Sequence, residues 1–130
     1  MKTILTLSLL GIIAICTQAS PVHSTEVKSF KPVVAGVDFS YFRIHRQASD
    51  ASLNWGITNP LSVTYFTIDR SYDGFYFEFV DEVQADGSAT YRFRDANAFP
   101  GTTYYRITAH LSDGSVVAST VESVRIMKKG

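Results

Sequence analysis

The chain has 130 residues and balances 12 Lys and Arg against 12 Asp and Glu, and this length allows one domain rather than two. The charge balance excludes the basic footprint of proteins that bind nucleic acids or anionic membranes, so we expect no nucleic-acid partner. Aromatic side chains make up 13% of the residues, whereas disordered chains are poor in them.

The N-terminus has the three parts of a cleavable signal peptide. Lys2 supplies a positive charge, Ile4–Ile15 is an uncharged apolar run, and Thr17–Ala19 matches the small-x-small cleavage pattern. The apolar run is shorter than the ~20 residues that a membrane-spanning helix needs. We therefore predict a signal peptide over residues 1–19, a secreted, periplasmic or cell-surface location, and no membrane insertion after cleavage.

Cys16 is the only cysteine of the chain, and it lies within the predicted signal peptide. Ile15 precedes it, whereas the bacterial lipoprotein motif has a small residue at that position. We expect Cys16 to be discarded with the signal peptide, and its lipidation is the alternative that the sequence leaves open. The mature chain then contains no disulfide, which argues against a true immunoglobulin domain.

Residues 20–37 are polar and show no sustained period, so we predict a flexible leader over this segment. From residue 38 to residue 127 the chain changes to short segments in which apolar and polar residues alternate. In chain order these segments contain Phe42, Leu53, Phe66, Phe75, Tyr91, Tyr105 and Val116. Residues 128–130 form a short tail.

Turn chemistry separates these segments. Asp-Gly pairs at 73–74, 86–87 and 113–114 favour tight hairpin turns. The pattern predicts an all-β fold, a seven-stranded two-sheet antiparallel sandwich. Its core is predicted to centre on Phe42, Leu53, Trp55, Phe66, Ile68, Phe93, Tyr105 and Ile107.

Four motifs add a family resemblance to this prediction. They are Leu53–Trp55, Phe66–Gly74, Tyr91–Asp95 and Tyr104–Ile107, the last followed by Asp113-Gly114. In this order and spacing, the chain resembles the fibronectin type III-like modules found in secreted Bacteroidetes proteins, from Phe39 to Ile126. The resemblance implies a fibronectin type III-like sandwich and a role in protein–protein interaction or cell-surface adhesion.

No motif for catalysis or metal binding stands out. The histidines at 23, 45 and 110 lack the spacing of zinc ligands, and no G-x-S-x-G elbow exposes a nucleophile. The Asp-Gly turns lack the converging oxygen ligands that calcium needs. We therefore expect no enzymatic activity, no metal and no cofactor.

Arginines recur on the predicted strands, at Arg70, Arg92, Arg94 and Arg106. We expect them on the solvent-facing side of the sheets, where their partners would be Asp69, Asp95 or Glu78. Arg70 and Asp95 both belong to the matched motifs, and we predict that they form a structural pair.

Two adjacent tyrosines begin the sixth predicted strand. Period 2 places Tyr105 inside, with Ile107 and Ala109, and Tyr104 outside. In fibronectin type III-like sandwiches a tyrosine near this point bonds its hydroxyl to nearby loop backbone. We predict that Tyr105 has this role.

The segment Phe75–Val80 holds apolar side chains in both phases of a strand, and one face cannot bury both sets. Either a bulged or twisted edge strand buries both sets in part, or some of the side chains form an exposed recognition patch. The candidate binding patch comprises Tyr72, Phe75, Tyr76 and Phe79.

These observations predict an exported, non-enzymatic interaction or structural module whose partner is a protein or a surface glycan. One alternative is a small secreted carbohydrate-binding protein that uses exposed aromatic side chains such as Tyr72 and Tyr76 as stacking platforms. Another is a hydrolase accessory or inhibitor that gains its function only in a complex.

Overall fold

The computed structural model describes residues 36–130, so the predicted signal peptide and all but the end of the predicted leader lie outside the described residues. The described chain contains the strands β1 Phe39–Gln47, β2 Asp50–Ile57, β3 Val63–Ser71, β4 Glu78–Gln84, β5 Thr90–Asp95, β6 Gly101–Leu111, β7 Val116–Ala118 and β8 Glu122–Ile126, and a 3₁₀ turn at Pro60–Ser62. Across residues 36–130, no helix has the length and apolar character to cross a membrane.

The strands form two antiparallel sheets. One sheet has the order β1-β2-β5, and the other has the order β4-β3-β6-β7, with β8 also paired to β6. β1 lies against β8 at one side of the sandwich, so β5 and β4 lie at the other side. The predicted all-β, two-sheet antiparallel sandwich is confirmed.

The last predicted strand is interrupted, so the structure has eight strands where the sequence predicts seven. Ser119 donates its backbone N–H to the carbonyl oxygen of Ile107 at 2.8 Å, and its Oγ accepts the backbone N–H of Ile107 at 2.9 Å. Three residues, 119–121, thus face two residues of β6. β7 and β8 are the two halves of one strand position, divided by this bulge.

The core matches the predicted set with one exception. Seven of the predicted residues are buried: Phe42, Leu53, Trp55, Phe66, Ile68, Tyr105 and Ile107. Phe93 is only partly buried, because β5 is an edge strand whose outer side has no neighbour in its sheet. The buried set also contains Val37, Ala51, Ile57, Val63, Ala109, Leu111 and Ile126.

Trp55 joins the two sheets at the centre of this core. Its ring meets Phe66 of the second sheet edge-on, with ring centroids 5.4 Å apart, and stacks on Tyr91 of its own sheet at 5.9 Å. Truncating a buried tryptophan typically costs about 3–5 kcal/mol. The loss of the Trp55 side chain would therefore remove a large fraction of the ~5–15 kcal/mol that holds a typical domain folded.

β4 begins at Glu78 rather than at Phe75, where the sequence pattern places its start. Asp69 pairs with Phe79 while Ile68 pairs with Asp81, which leaves Val80 as an extra residue in the ladder. This bulge at an edge strand is one of the two explanations that the sequence offered for the mixed aromatic segment.

Candidate functional site

A buried carboxylate links the two sheets at one end of the sandwich. Asp95, at the end of β5, is 2% exposed. Its Oδ2 accepts hydrogen bonds from Arg70 Nη1 on β3 at 2.7 Å and from the Tyr105 hydroxyl on β6 at 2.8 Å. Its Oδ1 accepts the backbone N–H of Asn97 at 3.0 Å. Three donors thus compensate the buried charge.

The predicted Arg70–Asp95 pair is confirmed, but its location differs from the prediction. Arg70 shares the inward phase of Phe66 and Ile68 and lies at the end of the core rather than on the solvent-facing side. Burial lowers the pKa of Arg70, while the hydrogen bond and charge of Asp95 raise it, and the net shift is upward.

Tyr105 is buried as predicted, but its hydroxyl donates to the Asp95 carboxylate instead of a loop carbonyl. Burial, and then the hydrogen bond and negative charge of Asp95, raise the pKa of the Tyr105 hydroxyl far above its ordinary value. Tyr105 therefore remains a protonated donor. Tyr104 is only partly buried, and its hydroxyl makes no hydrogen bond within residues 36–130.

The other arginines divide between expected and unexpected partners. Arg106 pairs with Asp69 at 2.9 Å, as predicted. Arg94 pairs with the buried Asp50 at 2.6 Å, a partner that the sequence pattern did not indicate. Arg92 forms no ion pair with any residue that the structure describes.

The loop after β3 is organised by Asp73. Its Oδ1 accepts the backbone N–H groups of Phe75 and Tyr76, each at 2.8 Å, and the hydroxyl of Ser71 at 2.9 Å. Gly74 adopts φ +82°, a conformation that disfavours other residues. The N–H of Tyr76, then that of Phe75, and the Ser71 hydroxyl lower the pKa of Asp73.

This loop and the start of β4 present the predicted patch residues to solvent. The exposed fractions are 92% for Phe75, 72% for Tyr76, 65% for Phe79 and 40% for Tyr72. Tyr72 and Tyr76 line one depression of about 220 Å³, with Arg70 at its wall. Phe75 and Phe79 do not line it, so the structure brings only two of the four side chains into one concave site.

Two further exposed apolar residues, which the sequence pattern did not indicate, lie at the same end of the sandwich as Tyr72. Phe99 is 66% exposed and Met127 is 50% exposed. The Phe99 ring lies 5.5 Å from that of Tyr72, and the Phe99 N–H donates to the Tyr72 hydroxyl oxygen at 3.3 Å. An aromatic residue directly before a Pro-Gly turn, outside any alternating strand, is the signal that identifies Phe99.

These side chains lie at one end of the sandwich because β3 and β6 are antiparallel neighbours there, with Ser71 opposite Tyr104. We call this end, comprising Tyr72, Phe75, Tyr76, Phe99 and Met127, the aromatic end. It holds five of the nine large hydrophobic side chains that are exposed in the described part of the chain. Exposed apolar clusters of this kind mark interaction sites.

The ionisable groups beside the aromatic end do not form a metal-binding cluster among the described residues. Within residues 36–130, no set of three or more His, Cys, Asp or Glu side chains lies close enough to hold a metal ion. Of the titratable groups nearby, Asp73, Asp95 and Tyr105 are engaged in structural hydrogen bonds, whereas the exposed carboxylate of Glu78 lines the depression beside Arg70. Asp73 and Asp95 thus maintain the loop geometry at this end of the sandwich.

Comparison with known proteins identifies the fold. No protein-family model and no curated protein sequence matches the chain. The sixth fibronectin type III domain of human fibronectin type III domain containing protein 3 matches with a TM-score of 0.54 and 18% identity, over 74% of this chain and 91% of that domain. A β-1,2-glucanase from Parabacteroides distasonis matches with a TM-score of 0.58 and 20% identity, over 76% of this chain and 14% of the glucanase.

A pectate lyase from Erwinia chrysanthemi, solved in complex with tetragalacturonic acid, matches with a TM-score of 0.56 and 17% identity, over 68% of this chain. The matched region is 28% of the lyase, so the chain corresponds to a small part of these enzymes. The likenesses show that the chain has a fibronectin type III-like fold. This fold supports a binding or structural module and does not itself define an activity.

Replacing Tyr105 with Phe removes one donor from the buried Asp95 carboxylate and leaves the ring in place. We expect Tyr105→Phe to lower the free energy of unfolding by about 1.5–3 kcal/mol, the usual range for a hydrogen bond to a charged group. Tyr104→Phe is the matched control, and we expect it to be nearly neutral. Urea denaturation measures both, and equal effects would contradict the assigned role of Tyr105.

The loop that carries Phe75 and Tyr76 should respond to the titration of Asp73. Because the folded-state pKa of Asp73 is below the ordinary value of 3.8, its stabilisation of the loop is complete above pH 3.8 and is lost as the pH falls through the lower folded-state pKa. We expect the amide resonances of both residues to titrate with a midpoint below 3.8. Asp73→Asn should abolish this step, and a midpoint at or above 3.8 would exclude the proposed bonds.

Proposed function

We propose that this chain is an exported, non-enzymatic interaction module that binds a protein partner through its aromatic end. The observation that carries the proposal is the concentration of exposed aromatic side chains at one end of the sandwich, with Phe75 92% and Tyr76 72% exposed. Tyrosine and other aromatic residues dominate the binding energy of protein interfaces.

The way in which these side chains are held supports binding. Asp73 bonds the backbone of Phe75 and Tyr76 directly, and Tyr72 is held by Phe99 and by the Arg70 guanidinium 5.3 Å from its ring. A surface fixed before binding loses less conformational entropy when a partner docks. The Tyr72 ring and the backbone that carries Phe75 and Tyr76 are therefore preorganised, which favours recognition.

Export is part of the proposal and is supported by the sequence of residues 1–19. The absence of enzymatic activity is supported by the structural use of Asp73 and Asp95 beside the aromatic end. Asp95 is buried and accepts three hydrogen bonds, and Asp73 Oδ1 accepts three within its loop, so both carboxylates have structural roles.

A second candidate function is carbohydrate binding in the depression between Tyr72 and Tyr76. Two tyrosine rings provide faces for a sugar ring, and Arg70, Asp73 and Glu78 add polar groups at the edge. The similar structures include a pectate lyase solved with tetragalacturonic acid. The depression occupies about 220 Å³ and uses only part of the apolar surface, so it explains less of that surface than a protein partner does.

Site-specific photo-crosslinking tests the protein-binding proposal. The purified chain carries a benzophenone amino acid at position 75 and is irradiated with the cell envelope fraction of its source organism. The control carries the same group in place of Leu61, which is 88% exposed at the opposite end of β3. We expect a discrete protein adduct from position 75 only, because the partner docks at the aromatic end.

Competition shows whether the adduct is specific. Excess unlabelled chain should suppress it, whereas excess Phe75→Ser/Tyr76→Ser chain should not. Equal adducts from positions 75 and 61 would contradict a protein partner at this end. Absence of an adduct, together with tetragalacturonic acid binding that Tyr76→Ala abolishes and Leu61→Ala preserves, would favour the carbohydrate function.

A further inference from the structure

Two strand edges that pair with no other strand of residues 36–130 lie side by side on the same flank of the sandwich. β4 is at the edge of one sheet and β5 is at the edge of the other. Because β1 lies against β8 on the opposite flank, β4 and β5 share this one. Open edges present unpaired backbone groups and are prone to pair with other chains, so the side chains along them decide which partner is accepted.

The two edges carry opposite charge. β4 exposes Glu78, Asp81 and Glu82, and none of these carboxylates forms an ion pair within residues 36–130. β5 exposes no acidic side chain and two arginines: Arg92, which forms no ion pair within residues 36–130, and Arg94, which pairs with Asp50 of β2. An acidic edge and a basic edge thus lie next to each other on one flank.

The acidic residues of β4 and the arginines of β5 also lie at matching positions along the strand axis, which we call their height. At one level, the Tyr91 ring of β5 packs on Phe66 with centroids 4.6 Å apart, and Phe66 pairs with Val83 of β4. Their neighbours, Arg92 and Glu82, therefore lie at similar heights.

At the other level, Asp95 of β5 bonds to Arg70, which pairs with Glu78 of β4. Arg94 is therefore near the height of Glu78. Since β4 begins at the level where β5 ends, the two strands run in opposite directions.

We propose that the chain forms a two-fold symmetric dimer in which β4 of each copy faces β5 of the other. A two-fold axis parallel to the strands, placed at this flank, brings each acidic edge against the partner's basic edge and preserves every height. Glu82 then faces Arg92 of the partner subunit, in two equivalent junctions. Such an interface is closed and self-complementary.

The charge pattern selects this arrangement over its alternatives. Pairing β4 with a second β4 would juxtapose Glu78, Asp81 and Glu82 with like charges, and pairing two β5 edges would juxtapose arginines. Like-charge contacts of this kind suppress wrong partners. The bulge at Val80 further restricts the β4 edge.

The dimer stands independently of the proposed function but has a consequence for it. Rotation about an axis parallel to the strands leaves strand direction unchanged, so both aromatic ends project from the same end of the dimer. Two identical binding surfaces that face one way provide avidity for a repeated or surface-bound partner.

Charge reversal with rescue tests the dimer. The chain, purified as its cells produce it, is studied by sedimentation equilibrium. We expect Glu82→Arg and Arg92→Glu each to raise the dimer dissociation constant by about tenfold or more, because each places like charges at both junctions. An equal mixture of the two variants, and the variant with both changes, should restore dimerisation because opposite charges meet again.

Arg125→Glu is the matched control, because it reverses an exposed arginine on β8, away from this flank. We expect it to leave the dissociation constant unchanged. A parent chain that remains monomeric at about 0.1 mM overturns the proposal. Single variants that dimerise as tightly as the parent, or a failure of the mixture and the double variant to restore dimerisation, overturn it as well.

Discussion

The buried charge of Asp95 is the constraint on which the described structure depends most. A carboxylate that is 2% exposed is strongly destabilising unless charge and hydrogen bonds compensate it. The compensation comes from three separate parts of the chain: Arg70 on β3, Tyr105 on β6 and the backbone of Asn97. These parts must meet at one point, so the network sets how the two sheets and the loop after β5 are placed relative to each other.

The aromatic end is built outward from this network. Arg70, held by Asp95, lies under the Tyr72 ring, and Tyr72 contacts Phe99 from the loop that also supplies Asn97. The same strand that carries Arg70 ends at Ser71, whose hydroxyl bonds to Asp73. The buried ion pair thus supports the Tyr72 ring, and Ser71 and Asp73 fix the backbone that carries the exposed Phe75 and Tyr76.

Sequence periodicity correctly predicted the burial of side chains whose position depends only on the alternation of a strand. Trp55, Phe66 and Tyr105 are buried because a two-faced strand has one inward phase. Phe93 is less buried than predicted because burial also depends on whether a strand has neighbours on both sides. The order of strands in a sheet cannot be read from the local sequence. Alternation from Phe66 and Ile68 places Arg70 on the inward side, whereas its charge suggested a solvent-facing position. The inward position is possible because Asp95 compensates the charge.

The candidate site was predictable in part. The mixed phases of the segment after Tyr72 indicated exposed aromatic side chains, and the structure exposes all four predicted patch residues. The delayed start of β4 at Glu78 was not predictable, because it depends on the Asp73 carboxylate capturing two backbone N–H groups. Likewise, the Arg94–Asp50 pair joins residues separated by 44 positions, and such pairs require knowledge of the strand register.

A double-mutant cycle on Arg70 and Asp95 tests most directly whether the buried network supports the fold. The free energies of unfolding of Arg70→Met, Asp95→Asn and the double variant are compared with that of the parent by urea denaturation. If the two side chains compensate each other, each single change leaves an unmatched buried group and the double variant is more stable than the sum predicts, by more than about 1 kcal/mol. Effects that add to within about 0.5 kcal/mol would show that the pair is not coupled and that Asp95 does not organise this end of the sandwich.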